Sequence, residues 1–116
     1  MQEKLCSVCS AATQSEEYTM PSESEIAELS DFFSLVASQT RLKILLALDS
    51  RELCAGHLAE AVGMAPSAVS NQLKALRQAR LVSVRREGKM LFYRLADCHP
   101  QAIIRLAMCH IHEDNN

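Results

Sequence analysis

Residues 63–82 read GMAPSAVSNQLKALRQARLV, and the pattern in this stretch decides the fold. Gly63-Met64-Ala65 is a short connection, and Pro66 suits the first turn of a new helix, where a missing N–H costs nothing. Val69, Leu73 and Leu76 then make a buried stripe, while Ser67, Ser70, Asn71, Lys74 and Arg77 follow i, i+3, i+4, i+7 spacing on the opposite face. Upstream, RELCAGHLAEAV predicts a helix from about Leu53 to Val62, with Gly63 as its C-cap. A helix, a short glycine-containing turn and a second helix with a polar, basic face form a helix-turn-helix pattern.

Downstream, LVSVRREGKMLFYRLAD predicts two short strands joined by a tight turn near Glu87-Gly88. Val82 and Val84 alternate on the first strand, and Leu91, Tyr93 and Leu95 on the second. Arg85, Arg86 and Lys89 gather at the tip. A basic hairpin directly after such a helix is a wing suited to phosphate or minor-groove contact. The fold class is therefore mainly α with a small β-hairpin, a winged helix-turn-helix.

Upstream again, a helix from about Gln39 to Leu48 carries Leu42, Leu45, Leu46 and Leu48. Before it a first helix starts behind Ser22 as N-cap, with Glu25 as capping-box partner, and shows Ile26, Leu29, Phe33 and Val36 on one stripe. Residues 1–22 are polar and aperiodic, a flexible arm that carries Cys6 and Cys9. Residues 23–113 make the winged-helix domain and 114–116 a tail. The final helix begins near Pro100 and is apolar nearly all round (Ala102, Ile103, Ile104, Leu106, Ala107, Met108, Ile111), so it is expected to be buried against its copy in a dimer.

Of 116 residues, 48% are apolar, and Gly and Pro are scarce, a profile that favours a helix-rich globule. No secretory leader and no membrane-spanning run is present, which points to the cytoplasm, where five cysteines serve as thiols or metal ligands rather than disulfides. The net charge of -2 hides a strong segregation. Arg41 to Arg94 hold ten Lys/Arg against four acids, and the remainder holds two against ten. A basic centre in an acidic shell suggests a local anionic partner, with double-stranded DNA the leading candidate. Asn71 can pair bidentately with adenine, and Ser67, Ser70 and Gln72 can reach bases or phosphates. Lys74, Arg77, Arg85, Arg86 and Lys89 would supply salt-dependent affinity.

The last helix also carries chemistry, in DCHPQAIIRLAMCHIHED at residues 97–114. His99 and His110 are eleven residues apart, three turns plus roughly 20°, so they share a face, but they lie about 16 Å apart along the axis. Zinc–ligand bonds are near 2 Å, so one helix cannot bring both ends to one ion. An antiparallel pair around a dimer axis can, setting Asp97 and His99 of one chain beside His110 and Glu113 of the other. Two imidazoles and two carboxylates suit Zn(II), with Co(II) or Ni(II) as alternatives. Cys98 and Cys109 fall one position off that face and are read as buried or semi-buried thiols. A second, thiolate-rich set is Cys54 and His57, i, i+3 on the third helix, completed by Cys6 and Cys9 of the arm. Such a site selects Zn(II), Cd(II), Pb(II) or Cu(I).

Together TRLKILLAL, ELCAGHLAEAVG, SAVSNQLKALRQARLVSVRREGK and the DCH…HIHE ends resemble the ArsR–SmtB family of bacterial metal-sensing repressors, over about residues 24–113. The resemblance is closest to the zinc-sensing branch. It implies a homodimer with the first and last helices at the interface, bound to a palindromic operator when metal-free and released by metal to derepress efflux or sequestration genes. It implies Asp97, His99, His110 and Glu113 as sensing ligands, and a coupling in which His110 donates toward the loop after the recognition helix, near Arg80. His57 stands where many relatives have Cys or Asp, Ala65 where an N-cap Ser is usual, and Asn71 where His is common. Two other readings stay open: a winged-helix repressor sensing thiol oxidation or As(III), and a zinc-stabilised interaction module without DNA binding. An enzyme is not expected. No nucleophile–base pair or glycine cradle stands out, no small-molecule substrate is implied, and four protein ligands leave zinc no open position.

Overall fold

The computed structural model describes residues 19–114. The described residues divide between two units, with the boundary after Ser30. Of the first, the described part is residues 19–30, where Ser22 and Glu25 close a reciprocal capping box: Glu25 N–H donates to Ser22 Oγ at 3.2 Å, and Ser22 N–H donates to Glu25 Oε1 at 3.0 Å. These two bonds occupy backbone donors that the first turn of a helix leaves unpaired, and helix α1 runs from there as Glu23–Val36.

In the second unit α2 spans Gln39–Ala47, capped by Ser38, whose side chain accepts from Arg41 N–H. Leu53–Cys54 then forms a two-residue strand, β1, before α3 at Ala55–Val62. The predicted helix from Leu53 is thus corrected at its start: Leu53 and Cys54 pair antiparallel with Tyr93 and Phe92. Gly63 ends α3 at φ 72°, its N–H donating to Ala59 O, as the C-cap reading requires. Helix α4, Pro66–Gln78, has Pro66 in its first turn behind Ala65, which offers no side-chain cap. It ends on Arg80 at φ 65°, with Leu81 N–H donating to Leu76 O.

Strands β2 (Val82–Glu87) and β3 (Met90–Leu95) pair from Val82↔Leu95 to Glu87↔Met90, leaving Gly88 and Lys89 as the loop. With β1 they make a three-stranded sheet of order β1-β3-β2. Val82, Val84, Tyr93 and Leu95 share the face turned to the core. Leu91, predicted for that face, is exposed because its partner Arg86 lies where the hairpin has run past the core.

The core is Ile44, Leu45, Leu48, Leu58, Ala59, Val69, Leu73, Leu76, Leu81 and Val82, with Phe32, Leu35, Val36 and Ile104 packed on its rim. The stripe predicted for α1 is corrected by this packing. Phe32, Leu35 and Val36 turn inward, while Leu29 and Phe33 stay exposed. In α2 Ile44 faces in and Leu46 faces out.

The last helix, α5, spans Cys98–Asp114, two residues earlier than its predicted start near Pro100. Asp97 caps it, Oδ1 accepting from His99 N–H at 2.9 Å. Proline fits anywhere in a first turn, so Pro100 does not mark the first helical residue. The apolar side of α5 is left bare by its own chain: Leu106 is 50% and Ile111 51% exposed, and Ile103 and Met108 are exposed as well. Ile104 ties α5 to the rim of the core, and polar contacts hold its first turns. Asp49, just after α2, accepts from Gln101, from Arg105 Nη2 at 3.1 Å and from Ser50 Oγ at 3.2 Å. The Gln101 hydrogen bond, with those of Arg105 and Ser50, holds the Asp49 carboxyl below its ordinary value despite partial desolvation.

Candidate nucleic-acid interface and metal-ligating positions

Burial of Val69, Leu73 and Leu76 fixes the rotation of α4, and the opposite side is therefore turned to solvent. Ser67, Ser70, Asn71, Lys74 and Arg77 are all exposed on it. A shallow cleft of about 460 Å³ runs between this helix and the wing, lined by Ser70, Lys74, Arg77, Gln78 and Tyr93. Gln78 and Tyr93 are not among the residues expected from sequence to contact nucleic acid. Tyr93 alternates with core residues, and only the placement of β3 beside α4 shows that it also walls the cleft.

Gln72, expected among the DNA-contacting residues, is half-buried and already engaged. Its Oε1 accepts from Arg41 Nε at 2.8 Å, and Arg41 Nη1 donates to Leu35 O at 3.1 Å. On the wing, Arg86 and Lys89 are exposed. Arg85 instead lies 4.9 Å from the centre of the Phe92 ring, forks onto both Glu52 oxygens at 2.9 and 3.0 Å, and donates to Glu87 Oε1 at 3.0 Å. Glu87 first and Glu52 second raise its guanidinium above the ordinary value. Two carboxylates offset the Arg85 charge, whereas no ion pair is seen for Lys74, Arg77, Arg86 or Lys89 among the described residues.

At the start of α5, Asp97 and His99 lie together, Oδ1 to Nδ1 3.3 Å. His110 and Glu113 lie at the far end of the same helix. Cys98 and Cys109, read as buried or semi-buried, are both exposed, and the Cys109 thiol donates to Glu113 Oε2 at 3.6 Å. Among the described residues no three His, Cys, Asp or Glu side chains of one chain converge on a metal position.

The donor pair at the start of α3 is closer: Cys54, the last residue of β1, has its Sγ 3.2 Å from Nδ1 of His57 in α3. Cys54 is buried at the N-cap position, His57 is exposed, and both line a cleft of about 550 Å³ with Gly56, Glu60 and Met64. A thiol and an imidazole at that distance are two of the donors a soft divalent ion takes. Cys6 and Cys9, expected to complete the set, lie outside the described residues.

The sequence pattern of the family described as "Bacterial regulatory protein, arsR family" matches residues 38–84, from the N-cap of α2 into β2. A transcriptional repressor SmtB homolog from Synechocystis is 41% identical over 88 residues, covering 76% of this chain and 67% of that protein. The crystal structure of the antimony-specific transcriptional repressor AntR superposes with a TM-score of 0.78 at 35% identity, covering 96% of this chain and 98% of that one. The solution structure of a homodimeric winged helix-turn-helix DNA-binding domain from Mycobacterium bovis superposes with a TM-score of 0.73 at 28% identity, covering 84% and 93%.

Proposed function

The chain belongs to the ArsR family of bacterial regulatory proteins, and from that premise we propose a homodimeric, metal-responsive transcriptional repressor of the cytoplasm. The metal-free dimer holds a palindromic operator through α4 and the wing, and zinc or a similar divalent ion releases it, derepressing genes of metal efflux or sequestration. The observation that carries this reading is the layout of α5. Asp97 and His99 are paired at 3.3 Å at one end of a helix whose apolar side its own chain leaves bare, and His110 and Glu113 stand at the other end.

The donor chemistry fits zinc: two imidazoles and two carboxylates form a tetrahedral N/O set once a second α5 lies antiparallel. Bound there, zinc would supply a fixed cross-link between the two protomers. The chain's own residues do the rest. Leu106, Ile111 and their neighbours close the α5 interface, and Ser67, Ser70, Asn71, Lys74 and Arg77 meet the major groove, with Arg86 and Lys89 on phosphates. His110 donates its outer ring N–H toward the turn at Arg80, so that ligand geometry bears on the end of the DNA-reading helix. Metal and operator then share a coupling free energy of about 1–3 kcal/mol, and DNA weakens metal binding by the same factor.

The test is a fluorescence-anisotropy titration on a duplex selected from a random-sequence pool. Wild-type protein releases the duplex as zinc is added. His110→Ala binds it and holds on. Ordinary zinc release from His110→Ala would remove α5 as the sensing site.

One observation favours a second reading for metal preference, the Cys54–His57 contact at 3.2 Å. A thiolate site on α3, completed by Cys6 and Cys9, would respond to Cd(II), Pb(II), Cu(I) or As(III), and the antimony specificity of a structural relative is of the same thiophilic kind. Loss of the Cd(II)–thiolate absorption band in Cys54→Ser, with zinc release intact, would assign the two sites to different ions.

A further inference from the structure

Arg41 joins three helices through one guanidinium. It stands in the first turn of α2, its Nη1 donates to the carbonyl of Leu35 in the last turn of α1, and its Nε donates to Gln72 midway along α4. Carbonyls in the last turn of a helix have no partner within it and carry the negative end of the helix dipole, so a cation seated there is held twice over. The bond to Gln72 spans 31 residues of sequence and is short, 2.8 Å, as charge-assisted bonds are.

This contact changes what Gln72 can do. A glutamine that reads adenine uses its amide oxygen and nitrogen together, against N6–H and N7. Here the oxygen is already taken by a cation. We infer that Gln72 is a positioning residue rather than a base reader: the Arg41–Gln72 bond fixes the angle between α4 and the corner of α1 and α2. The inference rests on the functional reading above, in which α1 belongs to the dimer interface and α4 to the operator. The bond then sets how far apart two recognition helices stand, and a two-fold operator demands that spacing.

Arg41→Met, Gln72→Leu and the double variant decide this against the same selected duplex, in its own sequence and in a panel of single-base-pair variants, over a range of salt. As a positioning pair, each single variant weakens binding about tenfold, the scale of a lost charged hydrogen bond, and the double variant weakens it no further. The loss falls evenly across the panel and the salt slope stays that of wild type. Specificity relaxed at one base pair in Gln72→Leu, or a salt slope smaller by about one in Arg41→Met, overturns the inference, as does undiminished affinity in both. Wild-type protein without salt-dependent duplex affinity would sink the functional reading itself, and is seen before any variant is made. Helical circular dichroism checks each variant. If Arg41→Met does not fold, Gln72→Leu, altered at a half-buried site, still gives the answer through its base-pair panel.

Discussion

In α4 the apolar residues Val69, Leu73 and Leu76 are buried within the chain, whereas in α5 Leu106 and Ile111 are half exposed and the helix is tied down by polar contacts around Asp49. Both helices pair an apolar stripe with chemistry-bearing side chains. The chain completes the first alone, so its polar face has a fixed orientation, as a DNA-reading surface requires. It leaves most of the second exposed, and on the proposed function the donors at the two ends of α5 wait on the same partner as its apolar face. On that proposal, rigidity lies where sequence is read, and dependence on a partner lies where the signal enters.

The largest effects test that division directly. Leu73→Ala removes a fully buried side chain from the core and is expected to cost about 2–5 kcal/mol of stability, at any protein concentration. Leu106→Ala acts on a half-exposed position, so the single chain folds as before. Its expected signature is a weaker dimer, read as a melting temperature that falls on dilution more steeply than wild type. Equal, concentration-independent losses in the two variants would break the comparison.

Next in size are the cations. Lys74→Ala removes an exposed charge from α4, and the slope of log affinity against log salt is expected to shrink by about one. Arg85→Ala removes a charge already matched by Glu52 and Glu87, so the slope is expected to hold while the wing loosens against β1. A full unit lost from the slope in Arg85→Ala would return that residue to the DNA-contacting set.

How far these differences were legible follows from the range of the interactions behind them. Pro66, Gly63 and the Ser22–Glu25 box act within a few residues, and all three appear where their local chemistry places them. The stripe of α4 is equally local. Strand β1 is two residues long, too short to show a period, and exists because β3, some forty positions on, offers Tyr93 and Phe92 as partners. For Gln72 and Arg85, periodicity reports which way a residue faces and not what meets it there. Their partners, Arg41 and Glu52, are 31 and 33 residues away. For α5 the sequence shows the donors and the rise between them, whereas Cys98 and Cys109, read by helical angle alone, are exposed within the single chain.

A smaller effect sits at the C-terminal end of α4. Arg80 closes α4 at φ 65°, a conformation that costs an L-residue about 1 kcal/mol and that glycine adopts freely. Arg80→Gly is expected to stabilise the fold by about 0.5–1 kcal/mol in urea melts, less what glycine adds to the entropy of the unfolded chain. If the strained cap also transmits the state of His110, the same variant shows weaker zinc-induced release at full operator affinity.

The smallest expected effect concerns the polar tie of α5. The Asp49 carboxyl is held below its ordinary value of 3.8 first by the Gln101 hydrogen bond and then by Arg105 and Ser50. A folded-state value below the unfolded one means that the folded chain binds fewer protons there, so the contribution is complete above pH 3.8 and is lost as pH falls through the lower, folded value. Because the group lies near the surface, the change is local. Amide protection in the first turns of α5 is expected to drop in that acid window while protection in α4, held by Val69, Leu73 and Leu76, does not. Asp49→Asn, which cannot ionise, should abolish the pH step and leave α5 weakly protected throughout. A step that persists in Asp49→Asn would mean that another acid anchors the helix, and α5 would then depend on its own chain more than the exposure of Leu106 and Ile111 implies.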